Sequence, residues 1–87
     1  MTNWYELCEP QNGIPVAYFK INSQLQKFMK NYSLKGNIEK INNPSPLEYA
    51  VKLGEKTLAS FEFEGHAINY NQMFFKGNGF IEPNPLK

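Results

Sequence analysis

The stretch LEYAVKLGEKTLASFEFEGHAINY, from Leu47 to Tyr70, decides the fold. On its first arm Leu47, Tyr49, Val51 and Leu53 alternate with Glu48, Ala50 and Lys52. On its second, Ala59, Phe61 and Phe63 alternate with Ser60, Glu62 and Glu64. Successive side chains of a strand point to opposite faces, so this period of two predicts a pair of half-buried strands. A three-residue loop of Gly54, Glu55 and Lys56 sets Leu53 opposite Thr57, Val51 opposite Ala59, Tyr49 opposite Phe61 and Leu47 opposite Phe63. Every large side chain except Leu58 then shares one face. Gly54 as a first turn residue favours a two-residue turn instead, which slips Tyr49 opposite Ser60. Burial of the apolar set is the stronger constraint and selects the three-residue loop.

Downstream, a turn at Glu64-Gly65 lets Phe63 face His66, Phe61 face Ile68 and Ala59 face Tyr70, which extends the hairpin to a three-stranded meander. The competing reading is a helix, with Ala67, Tyr70 and Phe74 at helical spacing, Ile68 and Phe75 likewise, and Gly77 as its stop. The alternation is followed here, and residues 66–76 are expected as strand.

Upstream, Trp4 to Cys8 and Val16 to Ile21 are β-rich runs around a turn centred on Asn12-Gly13. Their faces are expected to hold Leu7 with Tyr18 on one side and Trp4, Cys8, Phe19 and Ile21 on the other. Leu25, Phe28, Met29 and Tyr32 follow at i, i+3, i+4 and i+7, the stripe of an amphipathic helix capped by Ser23 and ended near Gly36. Asn37 to Asn42 reads as a short strand, and Asn43-Pro44-Ser45-Pro46 as a loop inside one domain. Lys76-Gly77-Asn78-Gly79 is a turn, and residues 82–87 form an extended tail. No internal repeat is visible. The expected fold is α+β, one small domain with a mostly antiparallel sheet and one amphipathic helix packed on it, in the order β-β-α-β-β-β. The opening β-β-α-β-β order resembles that of β-grasp domains, in topology and without a shared motif.

An 87-residue chain buries roughly 60–65 % of its unfolded surface, a modest core without a deep enzyme interior. All nine basic residues are Lys and all eight acids are Glu. Without Arg there is no planar fork for bidentate recognition of phosphate or guanine, and without Asp the usual calcium loops and Asp-dependent triads are missing. The lone Cys8 has no disulfide partner, the N-terminus has no signal-peptide pattern, and no apolar run approaches the ~20 residues of a membrane span. A cytoplasmic location is expected, with no membrane and no cofactor.

Glu62, Glu64 and His66 fall at i, i+2 and i+4, where an uninterrupted strand would offer them together to a metal, yet Gly65 breaks that strand and no metal is expected. Cys8 and His66 are the one thiol and imidazole pair, without local support for nucleophilic catalysis, and no catalytic residue is assigned. Lys20, Lys27, Lys30, Lys35 and Lys40 against Glu39 give a net +4 between Tyr18 and Lys40. Lys20, Lys27, Lys30 and Lys35 are therefore candidates for single-stranded nucleic acid. Thirteen aromatics exceed what a core of this size hides, and unhidden rings anchor interfaces. Trp4, Tyr5, Phe74, Phe75 and Phe80 are the candidates for a protein-binding surface. The expected function is a small non-enzymatic protein-binding module, an inhibitor or modulator of a larger protein of the phage or mobile-element type. The alternatives are nucleic-acid binding and a subunit of a homo-oligomer.

Overall fold

The computed structural model describes residues 3–42, 44 and 47–83. Its elements are β1 (Asn3–Cys8), β2 (Pro15–Phe19), α1 (Asn22–Asn31), β3 (Asn37–Asn42), β4 (Tyr49–Leu53), β5 (Lys56–Phe61), α2 (Glu64–Phe75) and β6 (Phe80–Pro83). The six strands form one sheet in the order β3-β1-β2-β5-β4-β6, every pairing antiparallel. The fold is α+β. Residues 64–75 are helix rather than strand, so there is no meander beyond β5 and the Phe63–His66 pairing does not form. With a second helix and a sixth strand, the likeness to β-grasp domains stops at the order of the first five elements.

The β4–β5 hairpin satisfies both of the constraints that conflict in its sequence. Gly54, at φ +67, and Glu55 make a two-residue turn with Leu53 opposite Lys56. A bulge between Val51 and Lys52 then shifts the ladder by one residue, restoring Val51 to Ala59 and Tyr49 to Phe61. The β1–β2 hairpin turns at Asn12-Gly13 as expected, with Gly13 at φ +70 and Glu9 N–H bonded to Ile14 O at 3.0 Å. Its register sets Leu7 opposite Ala17 and Tyr5 opposite Phe19, so Leu7 lies on the face of Phe19 and Tyr18 lies on the other. The expected pairing of Leu7 with Tyr18 is thus reversed.

Both helices cover one face of the sheet. Phe19, Phe61, Phe28 of α1 and Tyr70 of α2 are buried and close on one another, every pair of ring centroids lying within 6.4 Å. Each such ring adds about 1.5–3 kcal/mol by burial. α1 starts from Ile21 without a side-chain cap, so Ser23 does not cap it. It ends where Ser33, at φ +54, lets Leu34 N–H reach Met29 O at 2.9 Å, leaving Gly36 outside the cap. Asn71 of α2, buried, accepts from Gly79 N–H at 2.8 Å and donates to Gly79 O at 3.1 Å, fixing β6 to its helix.

Neither α1 nor α2 covers the opposite face, yet Tyr18 is only 4 % exposed on it. Leu47, itself buried, arrives over this face and donates its backbone N–H to Ser60 Oγ at 3.2 Å. Of the proposed loop, Asn43, Ser45 and Pro46 lie outside the described residues, as does the tail from residue 84. Glu82 and Pro83, read as tail, belong to β6.

The chain contains a repeat. β1-β2-α1-β3 and β4-β5-α2-β6 are the same β-β-α-β unit, related by a pseudo-twofold axis at the Tyr18–Ser60 pair of β2 and β5. Phe19 corresponds to Phe61, Ala17 to Ala59, and the bulge between Leu7 and Cys8 to that between Val51 and Lys52. Lys20 N–H bonds Leu58 O and Glu62 N–H bonds Val16 O, both at 3.0 Å and exchanged by the axis. The helices start from Ile21 and Phe63 and finish beside left-handed Ser33 and Lys76. Gly36 and Gly79 also correspond: a β-carbon at Gly36 would strike the Cys8 carbonyl, and one at Gly79 would crowd the Lys52 carbonyl.

Candidate functional site

The pseudo-twofold axis lays α1 and α2 antiparallel. Phe28 meets His66 edge-on at 6.0 Å, and Tyr70 donates its hydroxyl proton to Gln24 Oε1. Gln24 and His66 are themselves counterparts, so each helix turns the same position towards the other's central ring. Tyr32 packs tilted against Phe28 at 4.9 Å and Phe74 against Tyr70 at 5.0 Å, again as a matched pair. Burial pushes the Tyr70 hydroxyl up and the His66 imidazole down from their ordinary values.

At the Phe74 end the seam opens into a groove of about 600 Å³ lined by Ser23, Gln24, Gln26, Lys27, Lys30 and Phe74. Two cations, one aromatic face and three hydrogen-bonding side chains meet there, and α1 carries no carboxylate. Among the described residues the one ion pair is Lys52 with Glu82, at 3.3 Å, on β4 and β6. Lys27 and Lys30 therefore keep their charge towards solvent.

Phe74, the candidate for protein binding, and Lys27 and Lys30, the candidates for nucleic acid, are brought together by the fold. It disperses the others. Trp4 and Lys20 meet on the face away from α1 and α2, Lys20 Nζ standing 5.9 Å from the Trp4 ring. Tyr5 is half-buried on the helix side against the core. Phe75 packs edge-on to Tyr70 at 5.5 Å. Phe80 is 60 % exposed on β6, at the opposite end of the sheet from β3. Lys35 is exposed beyond the end of α1. Comparison with protein-family models, with curated proteins and with solved structures gives no match to this chain.

The remaining chemical candidates fall apart in space. Cys8 lies on β1 and donates its thiol proton to Glu6 Oε1 at 2.9 Å, while His66 packs between Phe28 and Phe63 on the helical layer. Burial, reinforced by Glu6 and Glu39, pushes the Cys8 thiol up to about 12, the reverse of what a nucleophile needs. Burial and the same Glu6 raise Tyr18 to about 12. Glu62 precedes α2 while Glu64 and His66 lie on it, so their strand spacing does not apply, and no three His, Cys, Asp or Glu among the described residues gather as a metal site. In the turn Lys76-Gly77-Asn78-Gly79 the Gly79 N–H is taken by Asn71 Oδ1.

Ser23, Gln24 and Gln26 are the groove residues that sequence reasoning missed. The signal was present in the helical spacing of Ala67, Tyr70 and Phe74, which places Phe74 on a helix facing α1.

Proposed function

We propose that the chain is a non-enzymatic module that binds another protein, acting as an inhibitor or modulator of it. The observation that carries this reading is the open groove between α1 and α2, where half-buried Phe74 stands beside Lys27 and Lys30. A ring that is packed on one side and accessible on the other is the usual anchor of a protein interface. The protonated, carboxylate-bound Cys8 supports a role without covalent chemistry. Capture of a partner by tagged protein tests it: Phe74→Ala, shown to be folded by its circular dichroism, is expected to lose the partner, and Trp4→Ala to keep it. Undiminished capture by Phe74→Ala, or no partner at all, removes the reading.

The same pair of lysines beside a ring favours single-stranded nucleic acid as the second reading. It predicts recovery that vanishes with nuclease and falls steeply with salt. The separation of Lys20 and Lys35 from the groove counts against it, since few phosphates are then neutralised together.

A further inference from the structure

We propose that the groove between α1 and α2 receives an acidic peptide segment of the partner, with an apolar side chain of that segment on Phe74 and its carboxylates on Lys27 and Lys30. The proposal rests on the protein-binding reading and names the chemistry of what is bound.

The repeat supplies an internal control. The counterparts of Ser23, Gln24, Gln26, Lys27 and Lys30 are Gly65, His66, Ile68, Asn69 and Gln72, and that of Phe74 is Tyr32. The same helix on the same sheet is thus built with neutral residues at both lysine positions. The scaffold does not call for the lysines. Three residues apart on a helix, they are neighbours on its surface and repel each other. Among the described residues no carboxylate stands on α1 or lines the groove, so that repulsion meets no counter-charge there. An incoming carboxylate relieves it.

The groove's polar groups suit a peptide. Gln24 spends its carbonyl oxygen on Tyr70, which leaves its amide N–H groups to donate to a ligand carbonyl. Ser23 and Gln26 each offer a donor and an acceptor, as an extended backbone requires. Phe74 supplies one apolar contact. A nucleic acid would find only two phosphate contacts, one ring and no Arg. Charge and stacking therefore favour a short acidic peptide over an oligonucleotide.

The probe is a synthetic peptide of glutamates flanking one phenylalanine, titrated into isotope-labelled full-length protein and followed by amide shifts. Shifts confined to residues 23–30 and Phe74 are expected, with affinity lost on Lys27→Glu/Lys30→Glu and reduced about tenfold by Phe74→Leu or by replacing the peptide's phenylalanine with glycine. The lysines are exposed, so the charge reversal leaves the fold intact. Absence of shifts, or shifts unchanged in the charge-reversed variant, overturns the proposal. Tighter binding of a thymidine oligonucleotide at the same residues also overturns it, in favour of nucleic acid. If the cellular partner is still captured by the charge-reversed variant, protein binding stands and the acidic occupant of this groove does not; loss of all capture from unaltered protein removes both.

Discussion

His66 sits edge-on between Phe28 and Phe63, and burial lowers its affinity for a proton below the ordinary value of 6.5. The unfolded chain takes up a proton first as pH falls, so stability is full above about 6.5 and declines below it. His66→Gln, which installs the residue found at its counterpart Gln24, is expected to flatten this decline between about pH 7 and 5.5 in denaturant titrations. An unchanged slope would place the titrating group elsewhere. Gly36 and Gly79 make a second residue-scale case. A methyl group at Gly36 would strike the Cys8 carbonyl and one at Gly79 would strike the Asn71 side chain, although neither has the positive φ that usually explains a glycine. Gly36→Ala is expected to lower stability by about 1–3 kcal/mol, measured by urea unfolding, because either β3 or the end of β1 must shift.

At the scale of the element, both helices end on a non-glycine residue in the left-handed region, Ser33 at φ +54 and Lys76 at φ +51. A side chain there costs about 1 kcal/mol relative to glycine. Ser33→Gly should therefore raise the melting temperature of this small domain by several degrees, and a fall would show that the Ser33 side chain has a role of its own. This scale also divides what the sequence discloses from what it hides. The central register was legible because Tyr49, Val51, Ala59 and Phe61 admit one buried arrangement, and so was the stripe of α1. The bulge at Val51 was not, since it reconciles two local rules that each looked sufficient. Residues 64–75 carry two competing signals: Glu62, Glu64 and His66 prolong the alternation past the real end of β5, while Ala67, Tyr70 and Phe74 keep the helical spacing, and burial of Ala67 and Tyr70 on one side decides for the helix. The groove was half legible: its charged and aromatic members stood out, but in separate hypotheses.

At the scale of the molecule the repeat escaped sequence inspection for a physical reason. Its halves are offset by 44 residues in the first strand, 42 through the second strand and helix, and 43 in the last strand. Loops of different length break any single alignment, and few identities survive beyond Tyr5 with Tyr49, Ala17 with Ala59, Phe19 with Phe61, and Ile38 with Ile81. What persists is spatial: a ring at each helix centre, a bulge near the end of each first strand and a glycine before each last one.

One covalent link joins these halves, and it runs from Asn42 on an edge strand to Tyr49, four strand positions away. Seven residues reach about 23–25 Å at most, against about 19 Å for four strand spacings. The span between these two ends comes close to that reach. Removing two residues of this tether leaves each half intact but unable to close on its own neighbour, so it closes on the matching half of another molecule. The expected product is an exchanged dimer whose mass is twice that of the chain and whose interface is the monomer's own core, measured by light scattering. A monomer of undiminished stability would mean that the tether was never taut.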